Sequence, residues 1–456
     1  MYRKSNRGQL SFEEFSLPFS GHLSKDNRWV KLAEIIPWDE IEDKYASLFT
    51  STTGNIAKPA RMAIGSMIIK EKQNYTDKET VEQITENPYL QYFIGLKGFS
   101  IEAPFDTSLM TYFRKRVTPE ILKEINEIIC KSQDKKPPTS GGGKSSNKGK
   151  LILDATVAPA DIRYPTDISL LNEAREKSEE IIDTLYQKLS EPIKKPRTYR
   201  EVARKEYLAL AKQKKPQKNK LRKGIRKQLE CLKRNLKNIN ALLLLYKENP
   251  LTTKQQETLT VLSELYRQQK HMYDNKTHTI EKRIVSINQP HVRPIVRGKA
   301  ATSTEFGAKL GASLVNGFAF LDILKWDNFN EGTTLKESVE AYKTRYGCYP
   351  EVVIADKIYR NRDNLRYCKE HGIRISGSKL GRKNSHIKAT ERALAKADGK
   401  ERNSIEGKFG EGKRRYGLSR IMARLRKTSE TEINLQFLVM NLEQCLRIHF
   451  FPFQRA

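Results

Sequence analysis

Two short apolar runs, Leu151-Ile152-Leu153 and Val352-Val353-Ile354-Ala355, each stop at an aspartate, Asp154 and Asp356. Runs this short and this apolar read as strands buried in a core. The acid marks the point where each strand leaves it. Two further strand-like segments lie around residues 283–297 and 305–327, and the C-terminal part returns to helix. Strands and helices in this arrangement predict a mixed α/β domain. A single strand-end Asp is usually a turn or cap residue; a second one weakens that reading.

The rest of the chain divides around these strands. Residues 1–130 read as a helical N-terminal region, clearest from Lys58 to Ile129. One helix is expected around Ala60–Ile68, a second opens at Asp77-Lys78-Glu79 and reaches Leu90, and a third runs from Ser108 to Ile129. Arg114, Lys115 and Arg116 on the third suggest a DNA-binding module, with a plain helical bundle as the alternative. Residues 131–150, KSQDKKPPTSGGGKSSNKGK, carry Pro, Gly, Ser and Lys without apolar side chains and read as a flexible basic linker. The domain that follows spans 151–456. Within it, about 169–279, lies a helical insertion read as an antiparallel hairpin. Ile225, Leu229, Leu232, Leu236, Ile239 and Leu243 form a heptad seam on its first helix, and Leu259, Leu262, Leu265 and Met272 form a seam on the second.

Charge narrows the partner. The 456 residues carry 84 Lys/Arg against 54 Asp/Glu, a formal charge of +30, which concentrates polyanions. Residues 195–240 alone hold 17 Lys/Arg and 3 Glu, a density that fits a surface lying against phosphates. A generic RNA-binding protein is the alternative on charge alone. The five cysteines are widely spaced with no C-x-x-C pair, so neither a zinc module nor a disulfide framework is indicated. No apolar stretch suits a membrane span, and a cytoplasmic, nucleoid-associated protein is expected.

Cleavage of phosphodiesters by two metal ions needs carboxylates converging on a small patch, because the ions sit ~3.5–4 Å apart. Acids at the ends of adjacent strands, ~4.8 Å apart, supply this. A third acid comes from Arg402-Asn403-Ser404-Ile405-Glu406-Gly407-Lys408-Phe409-Gly410-Glu411-Gly412-Lys413. On a helix, Arg402, Glu406 and Lys413 share one face, placing a carboxylate between two cations. The alternative is a solvated helix with ordinary ion pairs. The glycines there require tertiary support, or else allow a DNA backbone to come close. Asp322, after Ala319-Phe320-Leu321, is the rival to Asp356, and Glu411 the rival to Glu406. Asp356 is preferred because Lys357, Tyr359, Arg360 and Arg362 follow it.

These residues resemble the bacterial insertion-sequence transposases of the DDE type. LILD supplies the first acid at Asp154 and EVVIAD the second at Asp356. The pattern Y-x2-R-x3-E-x6-K is met at Arg402, Glu406 and Lys413, while its tyrosine position is Gly399. The stretches ADIRYPTDISLLNEARE, QPHVRPIVRGKA and ADKIYRNRDN resemble the same group. The resemblance implies an α/β, RNase H-like mixed-sheet catalytic domain with a helical insertion, preceded by the all-α DNA-binding region. It implies Asp154, Asp356 and Glu406 as catalytic residues holding two Mg2+ ions, with Mn2+ as a substitute. It further implies phosphate contacts from Arg402, Lys413, Arg414, Arg415, Lys357, Arg360, Arg114 and Arg116, terminal inverted repeats and target DNA as partners, and a homodimer on DNA. A metal-dependent nuclease without strand transfer and a non-catalytic DNA-binding protein are the alternatives.

Overall fold

The computed structural model describes residues 1–4, 11–50, 53–133, 147–189, 193–296, 304–377 and 389–450. The chain forms two compact units. One comprises Met1–Pro159, Lys309–Lys325 and Phe329–Ala456; the other comprises Ala160–Ala308 and Trp326–Asn328.

Among the described residues of the first unit, seven α-helices precede the sheet: α1 Arg28–Ile35, α2 Trp38–Ala46, α3 Ala60–Gln73, α4 Asp77–Glu86, α5 Pro88–Phe93, α6 Leu109–Arg116 and α7 Pro119–Gln133. Helix α3 stops where Asn74 turns left-handed (φ 56°), and α4 starts in a Thr76/Glu79 capping box. The helix expected to run from Ser108 to Ile129 breaks in two. Pro119 has no N–H to donate and disfavours helical backbone at Thr118, so it opens α7 instead of continuing α6. The segment expected to run from Asp77 to Leu90 divides at Pro88 for the same reason. Trp29 and Trp38 pack on Phe93, with ring centroids 5.0 and 5.6 Å apart. Most of the expected linker falls at residues 134–146, outside the described residues.

Strand β1 is Lys150–Pro159. The second unit then contributes α8 Asp167–Gln187, α9 Arg200–Ala211, α10 Lys218–Leu243 and α11 Thr253–Asp274, with β2 Arg293–Val296 pairing antiparallel to residues 304–307. The heptad seam of α10 lies in its core. Leu229, Leu232 and Ile239 are buried there among Leu171, Ile182 and Leu262, with Ile225, Leu236 and Leu243 packed alongside. Four helices are described where a hairpin was expected. Helix α8 supplies a further wall, because Leu170, Leu171, Ala174, Ile181, Ile182 and Leu185 give it an apolar face of its own.

Strand β3 (Thr304–Val315) and β4 (Phe318–Lys325) form a hairpin across Asn316-Gly317, whose positive φ of 51° and 84° suits a two-residue turn. Then come α12 Leu335–Tyr346, β5 Val352–Ile354, α13 Arg362–Glu370, β6 Arg374–Ile375, α14 Ala389–Arg415 and α15 Arg426–Phe450. In the first unit the sheet order is β4-β3-β1-β5-β6, with β1, β5 and β6 parallel and β3 and β4 antiparallel. The fold is therefore mixed α/β. Helix α14 covers β1 and β5, while α15 packs against α3, α7 and β4. Its apolar residues Ile433, Phe437, Leu438, Met440 and Leu442 are nearly all shielded from water, so α15 is the central helix of this core. Among the described residues no helix is long and apolar enough to cross a membrane.

Candidate active site

Parallel pairing of β1 with β5 ends at Ile152 opposite Ile354. Side chains alternate along a strand, so Asp154 shares the face of Ile152 and Asp356 the face of Ile354. Each acid lies two residues beyond the last pair, at equivalent places where the two strands part. Strand β1 itself does not stop at Asp154. It continues to Pro159, and what ends at the acid is its pairing with the short β5. Asp356 caps the 3-10 turn Lys357–Tyr359 and accepts the Lys357 N–H at 2.6 Å. Asp154 accepts the Ala155 N–H at 2.8 Å. Burial pushes its carboxyl up to about 6, and the negative charges of Glu331 and Glu406 add to the rise. The Ala155 hydrogen bond and Arg402 pull the other way.

Helix α14 carries the third acid to this place. Ile405 and Phe409 turn into the core, leaving Glu406 and Arg402 on the outer flank. Two ion pairs fasten the N-terminal half of the helix: Lys150–Glu401 at 2.5 Å to β1, and a bidentate Arg374–Asp398 pair at 2.7 and 2.8 Å to β6. Gly412 supports the other half. A Cβ there would lie 2.9 Å from the Met440 sulfur of α15, so any larger residue would make the Met440 side chain shift. Arg402 then spans the acids, 3.2 Å from Glu406 and 4.0 Å from Asp356. One guanidinium is shared by two carboxylates.

A fourth carboxylate, Glu331, was not singled out in the sequence. It opens the 3-10 turn Glu331–Thr333, pairs with the buried Lys309 at 3.0 Å and acts electrostatically on Asp154. Asn361 and Asn364 donate side-chain N–H groups to the Gly332 carbonyl at 3.0 and 2.7 Å, tying this turn to the one after Asp356. Gly332 permits the contact, since a Cβ would meet the Ile358 carbonyl at 2.5 Å. Tyr359 lies buried beneath; burial raises its pKa first, and the charges of Glu331 and Asp154 raise it further. Nothing in Asn330-Glu331-Gly332 separates it from an ordinary turn, so no sequence signal could have found it.

The expected phosphate contacts fare unequally. Lys357 is exposed directly beside Asp356, and Arg414 and Arg415 are exposed at the end of α14, with Lys413 half-buried there. Arg360 is instead committed to the backbone, donating to the carbonyls of Ile375 and Ser376 at 2.8 Å each. Arg114 forms a bidentate pair with Asp77 at 2.7 and 2.6 Å, joining α6 to α4. Arg116 stacks on Phe49, 4.3 Å from its ring centre. These three arginines hold the fold together. The rival acids are also structural: the Asp322 side chain is 1% exposed and faces Arg345 at 3.8 Å, while Glu411 pairs with Lys408 and Arg447.

Among the described residues no group of three or more His, Cys, Asp or Glu side chains is drawn close enough to hold a metal ion. The donor set nevertheless fits a hard divalent cation. It consists of carboxylate oxygens, and a cation beside Asp154 would favour the ionised form that burial and the charges of Glu331 and Glu406 disfavour.

Residues 353–443 match the family model described as the Transposase DDE domain, and residues 18–116 match the one described as Transposase domain (DUF772). The first match includes Asp356, Arg402 and Glu406 and begins after Asp154 and Glu331. An uncharacterised protein of Rhizobium meliloti, ORF8 in the nfe locus, is 34% identical over 145 residues, 32% of this chain and 68% of that protein. No solved structure matches.

Proposed function

We propose that this chain, which belongs to the insertion-sequence DDE transposases, cleaves the ends of a DNA element and joins them to target DNA at a centre built from Asp154, Asp356 and Glu406. The observation that carries the assignment is Arg402, shared between Asp356 and Glu406 beside the point where β1 parts from β5. An RNase H-like arrangement of sheet and covering helix is the fold this reading requires, and the strand order β4-β3-β1-β5-β6 supports it.

This family generally uses divalent metal ions. Asp154, Asp356 and Glu406 would hold a Mg2+ or Mn2+ pair, which when bound supplies charge stabilisation to the attacking and leaving oxygens. The chain's own residues do the rest. Lys150–Glu401 and Arg374–Asp398 fix α14, so the carboxylates keep their relative positions. Arg402 offers its guanidinium to the phosphate once the carboxylates are otherwise neutralised. Lys357, Lys413, Arg414 and Arg415 hold flanking phosphates. In the first step water cleaves the strand and frees a 3′-hydroxyl; in the second that hydroxyl attacks a target phosphodiester and expels a new 3′-oxygen. The helical region through residue 130 serves as the DNA-binding region, 131–150 as a linker to the catalytic domain 151–456, and a homodimer brings the two ends together.

The test uses the DNA flanking the gene as substrate. Wild type should nick at inverted repeats and join the 3′ ends to a second duplex in Mg2+ or Mn2+. Asp154→Ala, Asp356→Ala and Glu406→Ala should each abolish both steps while binding persists. Nicking without joining would assign a nuclease, and full activity in Asp356→Ala would refute the centre.

A further inference from the structure

Residues 412–429, the last turn of α14, the connector 416–425 and the first turn of α15, carry seven Lys/Arg and no Asp or Glu, with Arg420 and Arg424 in the connector itself. The large aliphatic side chains of this segment divide into two sets. Leu418 and Ile421 are fully buried and anchor the connector, whereas Met422 and Leu425 are 59% and 63% exposed. The backbone between them is fastened. Ile421 donates its N–H to the Pro159 carbonyl at 2.8 Å, and the Glu432 carboxylate accepts the N–H groups of Met422 and Ala423 at 3.1 and 3.0 Å. The Ser429 hydroxyl donates to the Ala423 carbonyl at 2.8 Å. Single exposed apolar side chains are ordinary. Two that project from a fixed backbone among exposed Arg420 and Arg424, beside Arg426 on its 2.9 Å pair with Glu430, make a surface of definite chemistry. Its charge fits a polyanion, and its apolar tips fit the edges of stacked bases.

We propose that this connector is a DNA wedge, in which the arginines hold phosphates on either side of a base step while Met422 and Leu425 press into that step and unstack it. The proposal rests on the reading of this chain as acting on DNA. Pro159 lies five residues along β1 from Asp154, roughly 17 Å at ~3.3 Å per residue.

The experiment measures binding of the full chain, in chelator, to a short duplex and to the same duplex with one central abasic site. Where the unstacking cost is already met, wild type should bind about tenfold more tightly. Met422→Ala/Leu425→Ala should erase that preference and leave binding to the intact duplex within about twofold, because phosphate contacts dominate affinity. Both side chains are exposed, so the melting temperature should not change. Arg424→Ala/Lys427→Ala should weaken binding to both duplexes and flatten the salt dependence by about two phosphate contacts. Equal affinity of wild type for the two duplexes, or a preference surviving in Met422→Ala/Leu425→Ala, overturns the wedge. Loss of binding to phosphatidylserine vesicles in that variant, with the abasic preference kept, also overturns it and assigns the surface to a membrane. Nicking that disappears in Asp356→Ala while the wedge fails shows that the catalytic reading stands alone; an abasic preference in a wild type that never nicks shows the reverse.

Discussion

Replacing Asp154 by Asn should make the metal-free protein more stable above pH 6 and leave it unchanged near pH 3. The Asp154 carboxyl is pushed up to about 6 from 3.8. A pKa raised by folding means that the folded state prefers the protonated form. The stabilisation is fully present below the unfolded value and is lost as pH rises through the folded one, so the window runs from about 4 to about 6. Two units correspond to about 3 kcal/mol at ~1.36 kcal/mol each, an upper limit because the side chain is partly open to solvent. Asn accepts the Ala155 N–H as Asp does, but carries no charge to bury among Glu331 and Glu406. Thermal melts of both proteins in chelator across this range should diverge by roughly 5 °C at pH 8. Millimolar Mn2+ should then raise the wild-type melting temperature at pH 8 and have little effect on the Asn variant. An Asn variant that melts lower at pH 8, or a difference independent of pH, refutes the reasoning.

Arg402→Gln removes a cation that lowers the Asp154 pKa, so the acid limb of the pH–rate profile for Mn2+-dependent nicking should move to higher pH; an unmoved limb would separate Arg402 from Asp154. Gly332→Ala forces a Cβ to 2.5 Å from the Ile358 carbonyl and should cost about 1–3 kcal/mol in denaturant melts, with nicking reduced because the Glu331 and Asp356 turns separate. Arg114→Ala should destabilise by about 1–3 kcal/mol without changing the salt slope of DNA binding. Lys357→Ala should do the opposite, leaving the melt alone and reducing the slope by about one.

Residue pattern revealed β1, β5 and the helical seams, but merged β3 with β4, overran β2, gave no sign of the two-residue β6 and left the pairings open. The runs ending in Asp154 and Asp356 announced buried strands, because an unbroken apolar stretch can only be inside. The α10 seam likewise announced its packing face, since Leu229, Leu232 and Ile239 recur at helical spacing. That β1 continues past Asp154 was not legible, because Ala155 to Pro159 are small or apolar and suit a strand or its exit equally. The partners of the arginines are illegible for a related reason. Arg114, Arg116 and Arg360 sit in basic clusters, but whether a guanidinium reaches water or a partner depends on Asp77, Phe49 and the Ile375 carbonyl. Those partners are distant in sequence or belong to the backbone. Helices α1 and α2 fall within the region 1–130 read as helical but have no bounds of their own there, because their buried residues, Trp29, Val30, Leu32 and Ile41 among them, sit in short segments with too few turns to show a period.

The acidic centre is a place where folding and function pull against each other. Burial and like charge make Asp154 costly to ionise, and Arg402 offsets part of that cost while engaging two other carboxylates. A neutral replacement for Arg402 would leave those acids without that counter-charge. A second carboxamide, at Asp356, would reduce the need for one, with Glu406 and Asp154 still present. Asp356→Asn should therefore suppress part of the stability lost in Arg402→Gln, giving a coupling energy of about 0.2–1 kcal/mol for a solvent-exposed pair. Strict additivity of the two substitutions would show that the 4.0 Å contact carries no energy, and would leave Glu406 as the sole partner of Arg402.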